Sequence, residues 1–137
     1  MKRENHNFFL QQAAQDEIYA LCQQIRCRAD VQVLQQPTAQ TLMLPVTDPV
    51  NKGSFYGGEV LVSSAIVRVN DVDGWAMVMD EMPVSALSLA ILDAAWAAGV
   101  EKNSIDKLVH QGEERHKQNI KKSETEVAAT RVSFDLM

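Results

Sequence analysis

The stretch that most limits how this chain can fold runs from Val60 to Val69, where every residue but Ser63, Ser64 and Arg68 is apolar and four are valines. β-branched side chains crowd the preceding turn of a helix but sit well on a pleated surface, so the stretch predicts a strand. Asp71-Val72-Asp73-Gly74 follows with turn chemistry, Gly74 being free to take positive φ. Trp75–Met79 then reads as the returning strand of a hairpin. Met82-Pro83 ends it, and proline suits the first position of a new helix.

The helix from Pro83 to Ala98 is apolar on more than one side. Val84, Leu87, Ile91, Ala94, Ala95 and Ala98 share one face, Leu89, Leu92 and Trp96 another, and between Ser88 and Val100 only Asp93 is charged. Such a helix is buried on several sides. In a chain of 137 residues one sheet does not cover it, so the pattern predicts a protein partner as second cover, with Leu89, Leu92 and Trp96 at the interface. Gly99 fits as its C-terminal cap.

Around this centre, residues 5–28 read as one bent helix or two short ones joined near Gln15, with Asp16 able to cap the second part. Val31–Leu34 is a short strand, Pro37–Gln40 a turn and Thr41–Val46 a second strand. Pro45 donates no ladder hydrogen bond, which places that strand at an edge or ends it. Thr47–Ser54 is a loop of turn residues without an apolar period. Asn103 or Ser104 starts a last helix, with Glu113 one turn before Lys117. Ser123-Glu-Thr-Glu126 has the form of a capping box, but no Gly or Pro after Gly112 interrupts a continuous helix. Arg131–Met137 alternates Val132, Phe134 and Leu136 with polar residues, the pattern of a closing strand.

The length predicts a single domain spanning 1–137. A net charge of −5 argues against nonspecific binding to nucleic acid or to an anionic membrane. No apolar run reaches the roughly 20 residues of a membrane span, and Met1–Asn7 lacks the features of a signal peptide, so the expected address is the cytoplasm. Cys22 and Cys27, five apart on a helix, suit reduced thiols, with Cys22 buried and inert.

Chemistry-bearing constellations are few. His6, His110 and His116 lack metal-ligand spacing and read as solvent-facing helix residues, and no metal site is expected. Gly57-Gly58-Glu59 allows two readings: a close backbone approach with Glu59 as base or acceptor, or a bulge entering the strand. Glu59 is the one weak catalytic candidate. Arg68 and Arg131, set among apolar strand residues, need partners such as Glu59 or Asp135. No set of nucleophile, base and oxyanion donors assembles.

The run Phe55-Tyr-Gly-Gly-Glu59-Val-Leu-Val, the return strand Gly74-Trp-Ala-Met-Val, the helix segment Ala90-Ile-Leu-Asp93-Ala-Ala and the closing Glu126-Val-Ala-Ala-Thr130-Arg131-Val-Ser-Phe134 follow one another in a recognisable order. Together they resemble the PhnG subunit of bacterial carbon–phosphorus lyase, over essentially the whole chain. The resemblance implies work in phosphonate catabolism beside the PhnH, PhnI and PhnJ subunits. That machinery displaces adenine from ATP with an alkylphosphonate, giving a ribose 1-phosphonate 5-triphosphate. It also implies an accessory, scaffolding role, with no cofactor held by this chain; the iron–sulfur cluster and S-adenosylmethionine belong to a partner.

The expectation is therefore an α+β single domain, a mostly antiparallel sheet with helices packed on one face. Its function would be that of a subunit of the synthase complex, not catalytic alone, and dimeric within it. Gly57, Gly58, Arg131 and Phe134 join the helix residues as interface candidates. The alternative is a stand-alone homodimeric small-molecule binding protein with its pocket between the sheet and helix 83–98. A stand-alone enzyme using Glu59 is a third reading.

Overall fold

In a computed structural model, which describes residues 3–50 and 53–135, the elements run α1 (Arg3–Leu10), α2 (Gln15–Arg28), β1 (Val31–Thr47), β2 (Ser54–Val69), β3 (Val72–Met79), α3 (Pro83–Ala98) and α4 (Lys102–Asp135). The sheet is three-stranded and antiparallel, in the order β1-β2-β3, so the expected α+β architecture holds. Residues 5–28 resolve as two helices joined before Gln15. Ala14 is the N-cap of α2 and makes no side-chain cap, so Asp16 does not serve there. Ala14 instead donates its N–H to Gln111 Oε1 at 3.0 Å, which ties the start of α2 to α4.

The hairpin expected from Val60–Met79 is present, but its turn lies earlier. Asn70 and Asp71 both take positive φ, 47° and 67°, in a two-residue connection between Val69 and Val72. Asn and Asp tolerate the left-handed region, and this twist matches that of the strands. Gly74 is therefore not a turn residue. It lies within β3 against α3, where a Cβ would overlap the Ala94 backbone nitrogen. Glycine is needed there for close approach.

β1 also departs from the expectation of two strands around a turn. Val31–Thr47 is continuous, with register shifts between Val33 and Gln35 and between Gln35 and Thr38. Pro37 falls in the second irregularity on an edge strand, where no ladder donor is required. Pro45 likewise sits on this edge, as predicted.

α3 runs from Pro83 to a left-handed Gly99 cap, φ 79°, as its sequence foretold. It packs on β2 and β3 through Ala86, Ala90, Ala94 and their neighbours, while α1, α2 and α4 pack against its other sides. Leu89 and Leu92 are buried with Ile18, Ile25 and Ile105 in this core. The second cover of the helix is thus the chain itself, and the expectation that Leu89 and Leu92 face a partner is corrected. The cause is that α1, α2 and α4 together supply a helical layer that no single segment revealed.

α4 runs unbroken through Ser123, with Glu113 and Lys117 paired at 3.5 Å. It also includes Arg131–Asp135, so the expected closing strand is a helix; Leu136 and Met137 lie outside the described residues. A helix satisfies its backbone locally, whereas a terminal strand must find an open edge. At Gly112, α4 meets α1 so closely that a Cβ would overlap the Phe9 carbonyl.

Ser63, one of the two serines in the Val60–Val69 stretch, is fully buried. Its hydroxyl donates to Asp80 O and accepts from Met82 N–H, each at 2.8 Å, which fixes the bend from β3 into α3.

Candidate functional site

The free edge of β3 carries an organised polar arrangement among the described residues. Gly74, Ala76 and Val78 pair with β2, so the backbone groups of Asp73, Trp75 and Met77 point away from the sheet. Three of these groups are held by side chains. Arg3 Nη2 donates to Asp73 O at 2.8 Å, Trp75 N–H donates to Asp93 Oδ2 at 3.0 Å, and Asn7 Nδ2 donates to Met77 O at 3.0 Å. Arg3 also forms a fork with Asp93, at 2.9 and 3.0 Å. Asp93, the lone charge in the apolar helix, is therefore the anchor that holds both α1 and the sheet edge. Its isolation among apolar residues was the one sequence signal for this role; nothing marked Arg3 or Asn7.

Beside this edge lies a cavity of about 700 Å³, lined by Arg3, Asn7, Ile66, Trp75, Met77 and Asp93 among others. It opens between α1 and the edge of β3. Between the sheet and α3, where the small-molecule reading places its pocket, Gly74 and Ala94 are in close contact.

Behind α1, His6 is 3% exposed and is not the solvent-facing residue expected. Its ring meets Trp96 edge-on at 4.6 Å, and its Nδ1 is buried without a hydrogen-bond partner. Trp96 is itself half-buried, donating Nε1–H to Asp106 at 2.8 Å under the Lys102 ammonium. Burial lowers the His6 pKa below its ordinary 6.5, against the opposing pull of Asp106 and Asp93. The folded state therefore holds His6 neutral, and the unfolded chain takes up the proton first as pH falls. This contribution to stability is complete above pH 6.5 and is lost as pH falls through the lower folded value. Urea midpoints measured from pH 7.5 to 5.5 are expected to fall more steeply for the natural chain than for His6→Phe; parallel slopes would remove His6 as the cause.

His110 is exposed, and His116 meets the Phe8 ring edge-on at 4.9 Å. Among the described residues no group of His, Cys, Asp or Glu is placed to hold a metal ion. Cys22 and Cys27 are both free. Burial pushes the Cys22 thiol up to about 11, while its S–H donates to Ser88 O at 3.4 Å. A thiol reagent at neutral pH should modify exposed Cys27 in the native protein and reach Cys22 only on unfolding; equal rates for both would contradict this burial.

The Gly57-Gly58-Glu59 candidates sit on the part of the β1–β2 hairpin that extends past β3, since β3 pairs only with Val62–Val69. Leu44 faces Gly58 and Pro45 faces Tyr56, so Gly57 is the extra residue of a bulge. Glu59 is exposed opposite Met43. Arg68 pairs not with Glu59 or Asp135 but with its register partner Asp73, at 2.7 Å. That bond holds the Asp73 carboxyl below the usual range. The side chains of Arg131 and Phe134 lie outside the described residues. The structure thus brings Arg3, Asn7, Trp75 and Asp93 together, and keeps Glu59 apart from them on the projecting ribbon.

Among the described residues no helix is long and apolar enough to cross a membrane. Comparison with curated proteins finds no match. The family model described as phosphonate metabolism protein PhnG matches residues 1–137, the whole chain. The ordered signature of hairpin, Asp93 helix and C-terminal segment, and a family match without a gap at either end, agree: this chain belongs to the PhnG family and has a role in phosphonate metabolism.

Proposed function

We propose that the chain is an accessory, scaffolding subunit of the carbon–phosphorus lyase core complex, acting beside PhnI, PhnH and PhnJ in the cytoplasm. In that complex an alkylphosphonate displaces adenine from ATP. The ATP, the iron–sulfur cluster and S-adenosylmethionine are held by partner subunits, and this chain contributes shape rather than a reacting group.

The observation that carries this reading is the projecting ribbon. Thr41–Thr47 and Ser54–Leu61 continue the β1–β2 pairing beyond the reach of β3. Leu42, Met43, Val46 and Leu61 are exposed on it. A two-stranded ribbon is at best marginally stable in water, and apolar side chains on it favour a covering surface. The later part of α4 is similar: residues 117–128 are all exposed, with Ile120 and Val127 among them. Two extended arms on one small body suit a subunit that wraps around others.

The test is coexpression of the chain with PhnI, PhnH and PhnJ. A Leu42→Asp, Met43→Asp double variant should fold as the natural chain does, yet fail to copurify and fail to support ribosylation. Normal copurification with full turnover would overturn the ribbon as the assembly surface. Glu59→Gln, on the same ribbon, should assemble and turn over normally; assembly without turnover would instead assign Glu59 to a composite site.

A further inference from the structure

We propose that the open face of the sheet binds a second copy of this chain, face to face, with Trp75 of each copy set against Met79 of the other. The contact belongs to the chain by itself and does not rest on its place among other subunits.

Side chains alternate along a strand between the two faces of a sheet. Ala65, Val67, Ala76 and Val78 turn inward to α3 and are buried. Val62, Ile66, Trp75, Met77 and Met79 therefore lie on the opposite face. α3 packs on the inner face, while α1, α2 and α4 lie against α3, so no helix covers the outer face among the described residues. Trp75 is 58% exposed there and Met79 62%. The five are contiguous: Ile66 pairs in register with Trp75 and Val62 with Met79, with Met77 between. An antiparallel sheet that leaves one face to water usually carries polar side chains on it, whereas here β2 and β3 present an apolar patch.

Charge and shape pick the occupant. Over the three-stranded part of the sheet the charged outer residues are Arg68 and Asp73, which neutralise each other at 2.7 Å. β1 sets Gln32, Gln35, Thr38 and Gln40 opposite β2, and Gln40 donates to Ser64 Oγ at 3.4 Å. A partner recognised by opposite charge finds no unpaired charge at these positions. A second copy, repelled elsewhere by a net charge of −5, meets here a surface that is neutral and matches itself. A two-fold axis across the strands at Met77 lays β3 over β3 of the second copy, apolar on apolar. An axis along the strands would lay β3 over the glutamines of β1 instead. The first arrangement reverses strand direction, so Trp75 meets Met79 of the second copy in a sulfur–aromatic contact. The patch is about 27 Å long and about 14 Å wide, so two faces bury about 1,000 Å² together, the weak end of specific interfaces.

Sedimentation equilibrium of the full-length chain alone, from about 5 to about 500 µM, should show the mass rising from monomer toward dimer with a Kd of about 10–100 µM. Met79→Glu, at an exposed side chain, should raise that Kd by about tenfold or more with the cooperative urea transition retained. Trp75→Lys is the second variant and should do the same. Val84→Asp, at an exposed apolar residue at the start of α3 and off this face, should leave the Kd unchanged. In a mixture of labelled and unlabelled protein, an isotope-filtered NOE should join the Trp75 indole to the Met79 methyl of the second copy; within one copy the two stand four residues apart on a strand, about 13 Å, beyond its range. A monomer at every concentration would overturn the proposal, as would a dimer weakened by neither variant or one lacking that cross-peak. Shielding of Trp75 only on coexpression with other subunits would also overturn it and assign the face to one of them.

Discussion

Gly74→Ala should lower stability by about 3 kcal/mol or more, one of the largest effects available from a single methyl group in this chain. The added Cβ would lie 2.7 Å from both the Cα and the Cβ of Ala94. Neither neighbour can swing aside, because one belongs to the backbone of α3 and the other is fixed to it. β3 would have to lift from the helix, stretching the Trp75 N–H bond to Asp93 and, through it, the seat of Arg3. A fall in melting temperature of about 10 °C is expected. Gly58→Ala, where nothing lies within 4 Å of the new atom, is the internal control and should change little. Similar melting of the two variants would show that β3 and α3 are not in the tight contact described.

Leu92→Asp should abolish folding rather than assembly. Leu92 is fully buried among the helices, and an unpaired carboxylate there costs about 4 kcal/mol or more, a large part of a domain's stability. The expected result is loss of the cooperative transition and of soluble protein, with or without coexpressed partners. A folded monomer that merely failed to copurify would restore Leu92 to an interface and overturn the burial of α3 by α2 and α4.

These two residues also show what could be read from the sequence and what could not. The valine-rich strand, the helix opened by Pro83 and closed by Gly99, and the continuity of α4 past Ser123 were legible because propensity, capping and periodicity agreed at each. The apolar character of α3 was legible too, but not the identity of its cover, since tertiary packing is set by several weakly patterned segments at once. His6 illustrates the limit: its neighbours Asn5 and Asn7 are polar, yet Trp96 and Asp106, ninety and a hundred residues away, make its environment. The register shifts around Pro37 were hidden because proline reads as a turn unless the strand is known to lie at an edge. The candidate site was the least legible part. Only Asp93 stood out, and the backbone groups of Trp75 and Met77 carry no sequence signal at all.

The contact between Phe9 and Gly112 has a consequence for how the chain is made. During synthesis the first helix emerges early, but the groove that receives it is completed only when the final third of the polypeptide has left the ribosome. Until then that leading segment has no seat, and the hydrogen-bonding row it later guards stands open to neighbouring nascent chains. Synthesis speed over the last third thus governs how long the newborn protein is adhesive.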